Sequence, residues 1–267
     1  MFSGIVLDLD GTLLNSNKEV TKGNLNAILS CHRLGVKPII ATARPPRSVK
    51  KFLPDELINV CAFVFYNGGF VVDKELGIEE HYPIAQHQTA EVLKQILELS
   101  PSCNISIEVK DVWYANKEVT DSTFFNLSTH PMILETERLG KLTATKILVS
   151  GFEENDLKSF CSQDLNIVVT DGGKLIQIMN LNVSKTSGIS TLCKHFKIDQ
   201  SSLIVFGDDT NDLDMFNNCG YTVAMGNAIA ELKQIADEIT ETNDQDGVRV
   251  VLEKMILNNR EFQLNVS

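Results

Sequence analysis

The chain has 267 residues, of which 43% are hydrophobic and 22% charged. That length and balance describe a soluble globular protein with a sizeable core and room for a second module, and they exclude a disordered or fibrous chain. A formal net charge of −11 argues against a nucleic-acid-binding surface, which needs a basic stripe, so any anionic substrate must be drawn in by local cations. No apolar stretch approaches the roughly 20 residues needed to span a bilayer. Six scattered cysteines without a C-x-x-C pair, in a chain lacking a secretory signal, read as reduced, buried thiols, and the expected location is cytoplasmic.

The first predicted element is the apolar run Ile5-Val6-Leu7, continuing into Asp8-Leu9-Asp10-Gly11-Thr12-Leu13-Leu14. Residues i and i+2 of a strand share a face, so Asp8 and Asp10 reach one point if the strand geometry holds through both. Two carboxylates that close raise each other's pKa unless a cation sits between them, and Mg²⁺ is the natural partner of hard oxygen ligands. Gly11 permits a sharp turn, and Thr12 offers a hydroxyl and an amide to an anion. The bland alternative is a polar strand end whose Asp residues cap a turn.

A helix over about 21–34 follows, with Thr21 as its start signal and Leu25, Ile28, Leu29 and Leu34 as its apolar stripe. The strand Val36–Ala41 then delivers Thr42-Ala43-Arg44, and Phe63–Tyr66 pairs with Phe70–Val72 across Gly68-Gly69. Strand and helix patterns alternate to about residue 80, the pattern of a parallel sheet with helices on its faces. After Tyr82-Pro83 the pattern changes. A helix from Thr89 to Leu99 precedes strands at Ile105–Glu108, Val112–Ala115 and Lys146–Val149, a helix over about 153–161, and paired strands near 167–170 and 175–179. Beyond Val183 the alternation resumes with Lys185 opening a helical segment and Leu203–Phe206 running into Gly207-Asp208-Asp209-Thr210-Asn211-Asp212. In open α/β sheets, ligands bind where the carboxyl ends of strands converge. Two acidic clusters, one hydroxyl and one lysine, in order along strand ends, are the parts of a phosphoryl-transfer site.

Asp8–Thr12 as DxDGT, Thr42 with Arg44 at a second strand end, Lys185 at a helix start and Gly207-Asp208 with Asn211-Asp212 as GDxxND resemble the haloacid dehalogenase superfamily of Mg²⁺-dependent phosphatases, in particular its Cof-type members with a type IIB cap. Asn67-Gly68-Gly69, Ala224-Met225-Gly226-Asn227-Ala228, Asn243 and Asp246-Gly247-Val248 extend the resemblance along the whole chain, while Ala43 departs from the family's usual Gly. The resemblance implies a Rossmann-like α/β core over residues 1–82 and 183–267, with a parallel sheet flanked by helices, and an inserted α+β cap over residues 83–182 that recognises the substrate.

It also implies roles. Asp8 would be the nucleophile that forms an aspartyl-phosphate, and Asp10 the acid that protonates the leaving alkoxide and then the base that activates water. Thr42 and Lys185 would bind the phosphoryl oxygens, with Gly11, Thr12, Ala43, Arg44 and Asn211 lining the same pocket. Mg²⁺ would be held by the Asp8 carboxylate, the Asp10 backbone carbonyl and Asp208, with Asp212 supporting through water or an outer contact. Asp209 occupies a variable slot, and the dispersed histidines receive no catalytic role. Trp113 and Tyr114 either line the substrate opening or belong to the cap core. The expected partner is a small phosphorylated metabolite such as a sugar phosphate, with neither nucleic acid nor membrane, on a monomer or small homo-oligomer. The rival readings are a phosphomutase of the phosphomannomutase type, which needs a bisphosphate activator, and a catalytically retired metabolite-binding regulator.

Overall fold

The computed structural model describes residues 2–119, 129–152 and 164–264. Contacts divide the chain into two units, residues 1–80 with 184–267 and, inserted between them, residues 81–183.

The first unit begins with β1 (Gly4–Leu7), β2 (Lys37–Ala41), β3 (Ala62–Phe65), β4 (Phe70–Asp73) and β5 (Ile78–His81). The inserted unit contributes β6 (Asn104–Val109), β7 (Val112–Ala115), β8 (Met132–Ile133), β9 (Lys146–Ser150), β10 (Leu165–Thr170) and β11 (Leu175–Asn180). The chain then returns to the first unit with β12 (Leu203–Gly207), β13 (Tyr221–Ala224) and β14 (Glu238–Ile239).

The first unit is an α/β fold on an eight-stranded sheet of order β14-β13-β12-β1-β2-β3-β4-β5. From β14 to β3 every neighbour is parallel, and β4 turns back antiparallel on β3 with Phe63 opposite Val72. The central strands are buried along their length, which is why they read as continuous apolar runs rather than as alternating ones. Helix Lys22–Arg33 starts where Thr21 Oγ1 accepts the Asn24 N–H at 3.1 Å, and it packs on helix Gly247–Leu264. Helix Lys185–Phe196 starts with a reciprocal Ser184/Ser187 capping box and packs on β2, β3 and β4. β1 ends at Leu7, short of both aspartates; the chain turns, with the N–H groups of Leu13 and Leu14 donating to the carbonyls of Asp8 and Leu9.

The inserted unit is α+β, with a six-stranded sheet of order β10-β11-β9-β6-β7-β8 that is antiparallel except for the β7–β8 pair. One face of this sheet carries Ile105, Ile107, Ile147, Val149, Ile176 and Ile178 into a core with Val92, Leu93 and Ile96 of helix Gln86–Leu99. That helix begins three residues before the apolar periodicity, because its first turn is polar and Gln88 Oε1 accepts the Ala85 N–H at 3.3 Å. Trp113 is buried in a smaller cluster with Leu175, and Tyr114 packs against the larger core. The expected helix over 153–161, with Cys161, lies outside the described residues. Of the other cysteines, Cys31, Cys61, Cys103 and Cys193 are free and buried, and Cys219 is free and half-buried. Among the described residues no helix is long and apolar enough to cross a membrane.

Candidate active site

The parallel register of β2, β1 and β12 brings Thr42, Asp8 and Asp208 to the same carboxyl edge of the first sheet, one residue or less beyond each strand. Lys185, the first residue of its helix, reaches into that edge. Its Nζ lies 2.5 Å from Asp8 Oδ1 and 2.6 Å from Asp212 Oδ1, and its side chain is 0% exposed. Carboxylate oxygens of Asp8, Asp208 and Asp212 lie within 4.8 Å of one another. Three carboxylates thus face one ammonium.

The electrostatics follow from that imbalance. Burial, reinforced by the carboxylates of Asp212 and Asp208 and opposed by Lys185, holds the Asp8 carboxyl well above its usual range. Burial likewise raises Asp208, to about 6, with Asp212 and Asp209 adding to it. Burial alone would lower the Lys185 ammonium, but Asp212 and Asp8 outweigh it and keep the lysine charged.

Both carboxylate oxygens of Asp212 are engaged. Oδ1 accepts from Lys185, while Oδ2 accepts the N–H groups of Asp208 at 2.9 Å and Asp209 at 3.1 Å, so it orients both the lysine and the loop bearing Asp208. Asp209 Oδ1 caps the following turn through the Thr210 N–H at 2.7 Å. The Thr12 hydroxyl donates to Asp208 Oδ1 at 2.8 Å, so it serves the carboxylate rather than standing open to an anion. Gly11, at φ +79°, presses its Cα against the Asp208 carboxylate, where any Cβ would collide.

The Asp10 carboxylate does not join that of Asp8. Once β1 stops at Leu7 the i, i+2 relation no longer applies, and the Asp10 carboxylate lies outside the cluster of Asp8, Asp208 and Asp212. It is held instead in a fork: Arg44 Nε to Oδ2 at 2.5 Å, Arg44 Nη2 to Oδ1 at 2.7 Å and Lys18 Nζ to Oδ1 at 2.8 Å. Burial raises its pKa, but the bonds from Arg44 and Lys18 outweigh burial and keep the carboxyl below its usual range. The Arg44 guanidinium also sits 4.7 Å over the Phe52 ring. Lys18 was not among the residues the sequence singled out; only its left-handed backbone, φ +61°, hints at a special turn.

Thr42 is buried at 1% exposure, and its Oγ1 accepts the Arg44 N–H at 3.1 Å. Ala43 is half-buried between them. Asn211 is exposed at the same edge, with Nδ2 3.5 Å from Asn67 Oδ1.

The loop after β1 is fastened by the last third of the chain. Asn227 Nδ2 donates to the Gly11 carbonyl at 2.8 Å, Asn243 Nδ2 to the Leu14 carbonyl at 2.9 Å, and the Asn243 N–H to Asn227 Oδ1 at 2.9 Å. Asp244 accepts both the N–H and the hydroxyl of Ser16 at 2.7 Å, and Thr21 donates to Asp246 at 2.6 Å.

A family model described as haloacid dehalogenase-like hydrolase matches residues 5–252, which contain every residue of this constellation. The chain belongs to the haloacid dehalogenase-like hydrolases. Within that family it falls on the phosphatase side: it is 30% identical, over 91% of this chain and 94% of the relative, to the 5-amino-6-(5-phospho-D-ribitylamino)uracil phosphatase YitU of Bacillus subtilis (strain 168). Among solved structures, TM0651 from Thermotoga maritima matches with TM-score 0.84 and 26% identity over 95% of this chain and 97% of that one. The subclass IIB sugar phosphatase BT4131 shares the fold with TM-score 0.78 at 20% identity, covering 95% of this chain and 98% of that one. As a haloacid dehalogenase-like hydrolase, the chain is an enzyme of the phosphoric monoester hydrolase class.

Proposed function

We propose that this enzyme is a Mg²⁺-dependent phosphatase that hydrolyses small phosphorylated metabolites, sugar phosphates above all, through an aspartyl-phosphate on Asp8. The observation that carries this reading is the buried Lys185 ammonium seated between Asp8 and Asp212, with Asp208 beside them. Phosphoryl transfer asks a protein for positioning and charge stabilisation, and this cluster is built for both.

The cluster suits a hard divalent cation. Its donors are all carboxylate oxygens, and one ammonium leaves net negative charge in a buried place. Asp8 and Asp208 would hold Mg²⁺ with the Asp10 carbonyl, and Asp212 would support them through the Asp208 N–H and Lys185. The ion when bound supplies charge neutralisation between the nucleophile and the phosphoryl oxygens.

In the first step an Asp8 carboxylate oxygen attacks phosphorus, the P–Oδ bond forms, and the bond to the leaving alkoxide breaks. Asp10 gives that alkoxide a proton. In the second step Asp10 takes a proton from water, whose oxygen attacks phosphorus and breaks the acyl-phosphate bond, returning the Asp8 carboxylate and inorganic phosphate. For the first step the fork of Arg44 and Lys18 must open, since a carboxylate paired with two cations stays ionised. Lys185 and the Thr42 hydroxyl stabilise the equatorial oxygens. Asn211 orients the phosphoryl group, with Arg44 and Ala43 around it. The inserted unit is assigned the recognition of the organic part.

The preference for sugar phosphates draws on two of the relatives, one named for a phosphorylated ribityl compound and one for sugar phosphates. The test is phosphate release from a panel of sugar, polyol and nucleotide monophosphates, with Mg²⁺ or chelator, alongside Asp8→Asn. Release that needs both the metal and Asp8 supports the reading. Turnover only after adding a bisphosphate activator would turn it to the mutase, and binding without any turnover to the regulator.

A further inference from the structure

The turn after β3 holds two consecutive non-glycine residues in left-handed backbone. Tyr66 and Asn67, neither of them glycine, both adopt left-handed conformations, at φ +54° and +53°, and Gly68 follows at φ +107°. Asn tolerates that region; a bulky aromatic does so only when its surroundings enforce it, and Tyr66 is 1% exposed.

The surroundings that enforce it belong to the site. The Asn67 N–H donates to the Thr42 carbonyl at 2.9 Å, and the Tyr66 N–H to the Arg44 carbonyl at 3.4 Å. Gly68 lies so close to the Ser184 carbonyl, one residue before Lys185, that a side chain there would collide with it. One turn therefore touches the strand end carrying Thr42 and the helix start carrying Lys185. From it the Asn67 carboxamide oxygen meets Asn211 Nδ2 at 3.5 Å. A turn needed only to connect β3 and β4 would use glycine or a relaxed geometry. This one spends left-handed backbone on aiming an amide.

We propose that Asn67 is a positioning residue of this site: the left-handed turn, tied to the Thr42 carbonyl through the Asn67 N–H, presents the Asn67 carboxamide to Asn211 and fixes the orientation of Asn211 toward the phosphoryl group. The proposal rests on the reading of this edge as the phosphoryl-transfer site. The Asn211 carboxamide nitrogen carries two N–H donors, and with one aimed at Asn67 Oδ1 the other is left for a phosphoryl oxygen. Without Asn67, Asn211 must be ordered by the substrate itself, which weakens binding rather than chemistry.

The experiment is steady-state kinetics of the full chain on its best sugar phosphate with saturating Mg²⁺, comparing wild type, Asn67→Gly, Asn67→Ala, Asn211→Ala and the double variant Asn67→Gly/Asn211→Ala. Gly keeps the left-handed backbone and removes only the carboxamide. Asn67→Gly should raise KM about three- to ten-fold, the loss expected for one neutral hydrogen bond, with kcat changed less. The double variant should be no worse than Asn211→Ala, because both remove the same interaction. Wild-type KM in Asn67→Gly, with only Asn67→Ala impaired, would overturn the proposal and leave the turn a backbone device. Effects of the two residues that multiply would overturn it as well. Should Asn67→Gly fold poorly, Asn67→Asp keeps both the backbone and the acceptor oxygen. There, removing Asn211 should cost as much as it does in wild type, and a smaller cost would refute the coupling. Asp8→Asn separates the two levels. If that variant still turns over, the reading of the site has failed. If it is dead while Asn67→Gly behaves as wild type, only the positioning role has failed.

Discussion

Lys185 Nζ stands 2.5 Å from Asp8 and 2.6 Å from Asp212, with the three side chains at 0%, 7% and 1% exposure. Breaking a buried pair by removing one partner costs about 3–5 kcal/mol, because it strands the other charge. Lys185→Met should therefore lower the unfolding free energy by about that much in a urea titration, and lower kcat about 10²- to 10³-fold through lost stabilisation of the phosphoryl oxygens. A variant as stable and as active as wild type would remove Lys185 from the site.

Asp8→Asn should behave differently. It removes a carboxyl that burial already disfavours as an anion and leaves Lys185 paired with Asp212, so the fold should persist while turnover disappears. Mass spectrometry of acid-quenched protein should find one phosphoryl group on wild type and none on the variant. Phosphate on both would locate the nucleophile elsewhere.

The Thr12 hydroxyl touches Asp208 rather than a substrate oxygen, which assigns it an effect on metal affinity. Outer partners of metal-binding carboxylates typically contribute a 10- to 100-fold effect on affinity. Thr12→Val should raise the Mg²⁺ concentration for half-maximal activity about ten-fold, while activity at saturating Mg²⁺ stays within about three-fold. A large loss of kcat at saturating metal would return Thr12 to the phosphoryl group.

In the inserted unit, Lys146 of β9 lies opposite Glu108 of β6 and is 6% exposed. Burial pulls its ammonium from the ordinary 10.5 down to about 8, against the opposing effect of Glu108. Between about pH 8 and 10.5 the folded chain therefore binds fewer protons at this position than the unfolded chain. The cost of burying the charge is fully present below pH 8 and disappears as pH rises to 10.5, so stability climbs across that window. Urea titrations at pH 7 and pH 10 should find wild type gaining on Lys146→Met by up to about 3 kcal/mol. A pH-independent difference would mean that Lys146 keeps an ordinary pKa.

The parts of this site that were legible in the sequence are those placed by a strand end or a helix start. Asp8, Thr42, Asp208 and Lys185 converge because parallel register carries apolar runs of similar length to one edge, and the runs themselves reveal where they stop. The convergence of Asp10 on Asp8 depended on strand geometry holding through both, and β1 stops at Leu7; no local pattern discloses that Arg44, 34 residues away, and Lys18 claim the Asp10 carboxylate. Thr12 was read as an anion donor because its nearest acceptor, Asp208, is 196 residues distant. The Tyr66-Asn67 turn carried its signal in Gly68-Gly69, but a hairpin reading accounts for glycines without asking for two left-handed residues before them. The polar first turn of helix Gln86–Leu99 hid its start for the opposite reason, having no apolar period to detect.

The ties between Ser16 and Asp244, and between Thr21 and Asp246, join positions 228 and 225 residues apart. Asp8 is made more than 230 residues before these fastenings, whereas residues 81–183 form one uninterrupted stretch of chain. The loop bearing Asp8 is thus fully fastened only after residue 246 has been made. A nascent chain stalled before residue 240 would already own every carboxylate and the lysine of the site, and would lack the straps that set them for work.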